Sequence, residues 1–178
     1  MSGLQLLFIG VAYLCSFTFG KCPHGFEEYN HVCYTVVKKP INGIDAYRQC
    51  EAMNSYLLNV DSTPELNFLK RLVERTEGWV PGFWTGGFYK PSYKGSQQMW
   101  VWRKADSNGR YTETQVTPDN TDVNWWGIEP FNNWHTAEFL NMPHTRKHWL
   151  MLNTDDFKLY GEFAFGKMLG YICETMAK

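Results

Sequence analysis

This chain of 178 residues contains no run of basic side chains, and its net charge is only −1. It therefore lacks the electrostatic footprint that binding to nucleic acid or to an acidic membrane surface requires. No stretch beyond residue 20 is apolar enough to cross a bilayer, so no membrane span is expected in the mature chain. Asn-x-Ser/Thr sequons are also missing there, so N-glycosylation is not expected. The familiar catalytic signatures are absent as well: there is no His-Glu-x-x-His, no Gly-x-Ser-x-Gly and no phosphate-cradling glycine loop. Paired acids such as Asp155-Asp156 are common in loops and carry no chemistry by themselves. An enzyme is not expected.

Leu4 to Leu14 forms an almost unbroken apolar run, too short to span a membrane, and Thr18-Phe19-Gly20 gives the small-x-small pattern that precedes signal-peptide cleavage. Residues 1–20 are therefore read as a signal peptide and 21–178 as a secreted, extracellular domain. No basic residue precedes the run, and a retained membrane anchor is the alternative. Of the five cysteines, Cys15 leaves with the leader, and Cys22, Cys33, Cys50 and Cys173 remain as an even set for an oxidising compartment. Three pairings are possible, and spacing alone does not choose among them. A Cys22–Cys33 bridge would staple a short hairpin containing Pro23, Gly25 and Asn30. A Cys50–Cys173 bridge would bind an early helix to the last strand. On the chain-entropy view these two contribute about 3 and about 5 kcal/mol.

The length suits one domain with its own core, and no linker is visible. Ile44, Ala46, Tyr47, Cys50 and Met53 recur at helical spacing, which predicts a helix from Gly43 to about Asn54. Ser62-Thr63-Pro64-Glu65 is a capping box that opens a second helix, lined by Leu66, Leu69, Leu72 and Val73, with Gly78 as its expected end. Met99–Trp102, Trp149–Leu152 and Leu169–Cys173 read as strands. The polar, Asn-rich segment from Arg103 to His148 reads mostly as loop, and a loop of that length is usually functional. Trp84, Trp100, Trp102 and Trp149 are assigned to the core.

Taken in order, these residues resemble a known family. Cys22-Pro23-x-Gly25-Phe26, Cys33-Tyr34, Ala46 to Cys50, Glu65 to Leu69, Trp84-Thr85-Gly86-Gly87, Trp100-x-Trp102, Trp125, Glu129-Pro130 and Tyr171-Ile172-Cys173-Glu174 are similar to the C-type lectin-like domain. The similarity covers essentially the whole mature chain. It implies an α+β double-loop fold with two helices, antiparallel sheets and a long loop region, stapled by disulfides and carrying the long-form amino-terminal hairpin. It also implies the pairings Cys22–Cys33 and Cys50–Cys173.

The departures from the family bear on function. A second core disulfide is usual at the base of the long loop, and its positions fall near His148 and Phe165, neither of which is cysteine. An aromatic pair packing there and a looser loop are the expected substitutes. Sugar-binding members use a Glu-Pro-Asn tripeptide and a Trp-Asn-Asp tripeptide to hold calcium and to accept hydrogen bonds from sugar hydroxyls. Here the first reads Glu129-Pro130-Phe131-Asn132 and the second Tyr160-Gly161-Glu162. Calcium takes roughly six to eight hard oxygens at about 2.3–2.6 Å. The resemblance makes Glu129, Asn132, Glu138 and Glu162 the candidate Ca2+ and sugar ligands, with Asp155 and Asp156 as possible supplements, while Gly161 supplies no oxygen. Glu-Pro bonds of the family are often cis, at a cost of about 0.5–1 kcal/mol, and an ordinary trans loop proline is the alternative at Pro130.

Trp126 and Trp134, with Phe131, stand beside Glu129 in the sequence and are candidates to stack on a pyranose ring; a small loop core is the other reading. His144 and His148 have the spacing of a helical metal pair. Pro143 and the strand predicted at Trp149 oppose a helix there, so no zinc site is expected. The expected function is a secreted carbohydrate-binding module of C-type lectin type. It would be calcium-dependent and mannose-type if the Glu129-Pro130 signature is used as in the family, with glycans or glycoproteins as partners and a place in glycan or microbe recognition. A calcium-independent protein- or mineral-interaction module on the same fold is the alternative.

Overall fold

Both helices form where the sequence caps them. The Asn42 side chain accepts the Asp45 N–H at 2.9 Å, and α1 follows over Gly43–Ala52 with Ala46 and Cys50 turned inward. Helix α2 (Thr63–Arg75) opens on the expected capping box. The Ser62 hydroxyl accepts the Glu65 N–H at 3.3 Å, and the Glu65 carboxylate accepts the Ser62 N–H at 3.2 Å. Leu69, Leu72 and Val73 form its buried stripe. The helix stops at Arg75, so Gly78 lies in the loop beyond it, with a positive φ of 91°.

The structure, a computed structural model, describes residues 20–90, 99–105, 110–116 and 148–178. Among these residues the strands are β1 (Glu27–Tyr29), β2 (Val32–Ile41), β3 (Tyr56–Leu57), β4 (Gly82–Lys90), β5 (Met99–Ala105), β6 (Tyr111–Gln115), β7 (His148–Asn153), β8 (Leu159–Phe163) and β9 (Leu169–Met176). They join in one sheet ordered β1-β2-β9-β4-β5-β6, with β3 on β9, β7 on β4 and β8 on β7. Every pairing is antiparallel except β4 with β9, where Phe83 faces Gly170 and Trp84 faces Tyr171.

Because side chains alternate along a strand, β4, β7 and β9 each feed two cores. Phe83, Leu150, Leu152 and Ile172 pack with Leu69, Leu72 and Val73 of α2 and with Trp100 and Trp102 of β5. Trp84, Met151, Tyr171 and Cys173 pack with Ala46 and Cys50 of α1. Trp84, Trp100 and Trp102 are buried as expected, whereas Trp149 is half-buried. Disulfides join Cys22 to Cys33 and Cys50 to Cys173, so the amino-terminal hairpin is stapled and α1 is tied to β9, as the family resemblance implies.

Two sequence expectations need correction. The loop expected to begin at Arg103 does not begin there. β5 continues to Ala105, and β6 pairs with it antiparallel from Val101↔Gln115 to Ala105↔Tyr111. Tyr111, Thr112, Glu113 and Thr114 are all exposed on this edge strand, so its polar composition hides backbone pairing that the sequence cannot display. The substitute for the missing disulfide is the second. Phe165 stands 67% exposed in the turn between β8 and β9, and His148 lies opposite Phe163, so Phe165 is not a packed replacement for a bridge.

Candidate functional site

The β7–β8 hairpin carries the second tripeptide. Its register sets Trp149 opposite Glu162, Leu150 opposite Gly161 and Met151 opposite Tyr160. Directly opposite residues of an antiparallel pair share a face, so Glu162 stands beside the Trp149 indole. Two edge-on aromatic contacts hold that indole, to Trp84 at 6.5 Å and to Tyr47 of α1 at 6.0 Å. The Glu162 carboxylate forms an ion pair with Lys167, whose chain has just turned through Gly166. Sequence reading missed this cation. Its signal was a lysine on the far side of a tight, glycine-containing hairpin turn from the acid.

Gly161 lies on the other face, where a Cβ would stand 3.0 Å from the Trp100 ring. An asparagine there, the direct way to restore the family's amide oxygen, would begin by pushing on a buried indole. Asp155 and Asp156 serve their own turn. The Asp155 N–H donates to the Asn153 side chain at 2.7 Å, Asp156 Oδ1 accepts the Lys158 N–H at 3.1 Å, and Asp156 Oδ2 accepts the Tyr160 hydroxyl at 2.6 Å.

Glu129, Asn132, Glu138, Trp126 and Trp134 lie outside the described residues, as do Pro130, Phe131 and His144. Of the candidate ligands, the structure therefore places only Glu162. Among the described residues no group of three or more His, Cys, Asp or Glu side chains is arranged so that it could hold a metal ion. Glu162 is already balanced by Lys167, Gly161 offers no side-chain oxygen, and both oxygens of Asp156 are used in the turn. These residues do not make a calcium centre by themselves.

An aromatic and charged surface that the sequence did not announce lies on β4, β5, β6 and α1. The Arg103 guanidinium sits over the Phe88 ring at 4.3 Å and the Tyr111 ring at 5.6 Å, and pairs with Glu113 at 2.9 Å. Hydrogen bonds from Lys90 and Arg103 hold the Glu113 carboxyl below its ordinary range. Tyr111 also donates to Glu51, so β6 is fastened to α1.

The chain is similar to several known proteins. It is 37% identical over 68 residues to the snaclec agglucetin subunit alpha-2 of Deinagkistrodon acutus, a match covering 36% of this chain and 43% of that protein. The chain thus spans less than half the length of the curated relatives it matches at this level of identity. It is 23% identical over 154 residues to a perlucin-like protein of Mytilus galloprovincialis, covering 85% of this chain and 81% of that one. Among solved structures, it superposes on the C-type carbohydrate-recognition domain of cow CD23, determined in the presence of a GlcNAc2Man3 oligosaccharide. The TM-score is 0.58 with 18% identity, covering 89% of this chain and 98% of that one. No protein-family model matches the chain.

Proposed function

Because this chain is a C-type lectin-like domain by its fold, we propose that it is an extracellular carbohydrate-binding module with no catalytic role. In this reading residues 1–20 are a signal peptide and 21–178 the binding domain. Its ligands are mannose-type saccharides, free or carried on glycoproteins, and its role is glycan or microbe recognition. The β7–β8 hairpin is the observation that supports the reading best. There a carboxylate that can accept sugar hydroxyls, Glu162, stands across from an aromatic residue, Trp149. Glu129, Asn132 and Glu138 lie in the stretch of chain that runs into β7, and Trp126 and Trp134 beside them are the proposed stacking groups. The carbohydrate named with cow CD23 lends the same fold a ligand of this class.

The ion pair between Lys167 and Glu162 favours a second reading, a calcium-independent module that binds a protein or a mineral surface. An ammonium already on the carboxylate supplies part of the positive charge that a calcium ion would bring. Glu129→Gln and Lys167→Ala separate the readings. Glu129→Gln is expected to abolish saccharide binding while leaving the melting temperature in calcium-free buffer unchanged, and unaltered binding would remove Glu129 from the site. A millimolar calcium site at tenfold excess stabilises by about 1.4 kcal/mol, a shift of a few degrees. The native protein is expected to show a smaller shift than this, and Lys167→Ala to enlarge it by freeing Glu162. Calcium shifts of zero in both proteins would support the second reading.

A further inference from the structure

Three carboxyl groups and one ammonium meet where α2, β9 and β5 come together, and no binding or catalytic role accounts for them. Glu174 of β9 is 1% exposed, Glu65 of α2 is 5% exposed, and Asp61 lies in the turn before α2. Lys104 of β5 forms an ion pair with Asp61. Tyr34 of β2, Tyr56 of β3 and Asn59 complete the surroundings.

The two buried glutamates are treated differently by their neighbours. Both oxygens of Glu65 are used: Oε1 accepts the Tyr34 hydroxyl at 2.7 Å, and Oε2 accepts the N–H groups of Asp61 at 2.6 Å and Ser62 at 3.2 Å. Three donors around the carboxyl favour its ionised form. Glu174 takes the Asn59 N–H and the Tyr56 hydroxyl, but its Oε1 has no hydrogen-bond partner among the described residues. The neighbouring Asn59 Oδ1 has none either. A dry carboxylate oxygen without a donor is costly, and a proton removes the charge that makes it so. Lys104 is the cation facing Glu174, and it also serves Asp61 and Glu65.

We propose that Glu174 carries a proton in the folded protein and that this proton is the working part of a clamp fastening β5 to α2 and β9. With it in place, one ammonium faces two carboxylates, and Lys104 holds Asp61 while Asn59 Nδ2 donates to the Arg103 carbonyl at 3.1 Å. Loss of the proton sets a third negative charge beside Asp61 and Glu65 in a dry site, and the hold on β5 weakens.

The direction of the pH effect follows. Burial, with the repulsion of Glu65 and Asp61, raises the Glu174 carboxyl well above its ordinary value, and Lys104 only partly opposes this. Burial likewise raises Glu65, against the hydrogen bonds of Tyr34 and the Asp61 N–H. For Lys104, burial acts downward, but the Asp61 hydrogen bond and the carboxyl charges prevail and raise it, so it stays charged across this range. An acid raised on folding contributes stability that is complete below its unfolded pKa and is lost as the pH rises through its folded pKa. Net folding stability therefore declines from about pH 4.5 upward, where the unfolded glutamate ionises, while the clamp itself keeps its proton until the pH reaches the raised value of Glu174 in the folded protein.

Thermal and denaturant unfolding of the full secreted chain from pH 5 to pH 9 tests this, with Glu174→Gln alongside. The native protein's folding constant is expected to fall with rising pH, by at most about tenfold per unit for one proton. Glu174→Gln should flatten this fall and be the more stable protein at pH 9. Lys104→Met should extend the fall to higher pH, because its ammonium restrains the glutamate. Carboxyl carbon-13 spectra of the native protein provide a reading that no variant's folding can obscure: one glutamate should titrate well above all the others. Parallel pH profiles for native protein and Glu174→Gln, or spectra in which every glutamate titrates in the ordinary carboxylate range, would overturn the proposal.

Discussion

Replacing Cys50 and Cys173 together by alanine is expected to remove about 5 kcal/mol of stability, a large part of what a domain of this size possesses. The two residues are 123 positions apart, and their bridge joins α1 to the strand at the centre of the sheet order. Cys33 to Cys22 spans a separation of only 11, at the hairpin of β1 and β2, so its loss should cost about 3 kcal/mol. Denaturant midpoints of the two double variants under non-reducing conditions measure the difference. Losses of equal size would show that the long closure is not what holds the ends together.

Gly86→Ala is expected to be the most damaging single methyl addition in the Trp84-Thr85-Gly86-Gly87 stretch. A Cβ on Gly86 would stand 2.3 Å from Asn59 Oδ1 and 2.7 Å from the Leu57 carbonyl oxygen. The side-chain amide of Asn59 is held by Arg103, and the Leu57 oxygen is backbone, so neither is easily displaced. Overpacking of this kind costs about 3 kcal/mol, on the order of 10 °C in melting temperature. Gly25→Ala is the control. Gly25 has a φ of 82° but nothing within 4 Å of the added methyl, so only about 1 kcal/mol of backbone strain is expected. A Gly86→Ala protein that melts no lower than Gly25→Ala would contradict the packing described around Asn59.

Much of the fold was legible because its signals are local or ordered along the chain. The Ser62–Glu65 capping box specifies a helix start within four residues, and the spacing of Ile44, Ala46, Tyr47, Cys50 and Met53 marks the other helix; the structure forms both. The cysteines and tryptophans, taken in order, carried the fold and the disulfide pairing through resemblance, although spacing alone left three pairings open. What escaped depends on partners distant in sequence. β6 reads as loop because its side chains are exposed and polar, and only its hydrogen bonds to β5 make it a strand. Glu174, next to the last cysteine, carries no sequence sign that it is buried among Glu65, Asp61 and Lys104. Of the candidate binding site, the strand at Trp149 was legible and Glu162 was singled out through the resemblance, while the strand that sets Glu162 opposite Trp149 and its pairing with Lys167 required the structure.

The most direct test of the proposed carbohydrate binding is a glycan array probed with the protein in calcium and again in chelator. Binding to mannose-type saccharides is predicted in calcium, and it should weaken in chelator to the extent that Glu129 and Glu162 serve an ion. An array on which no saccharide is retained under either condition would contradict the account.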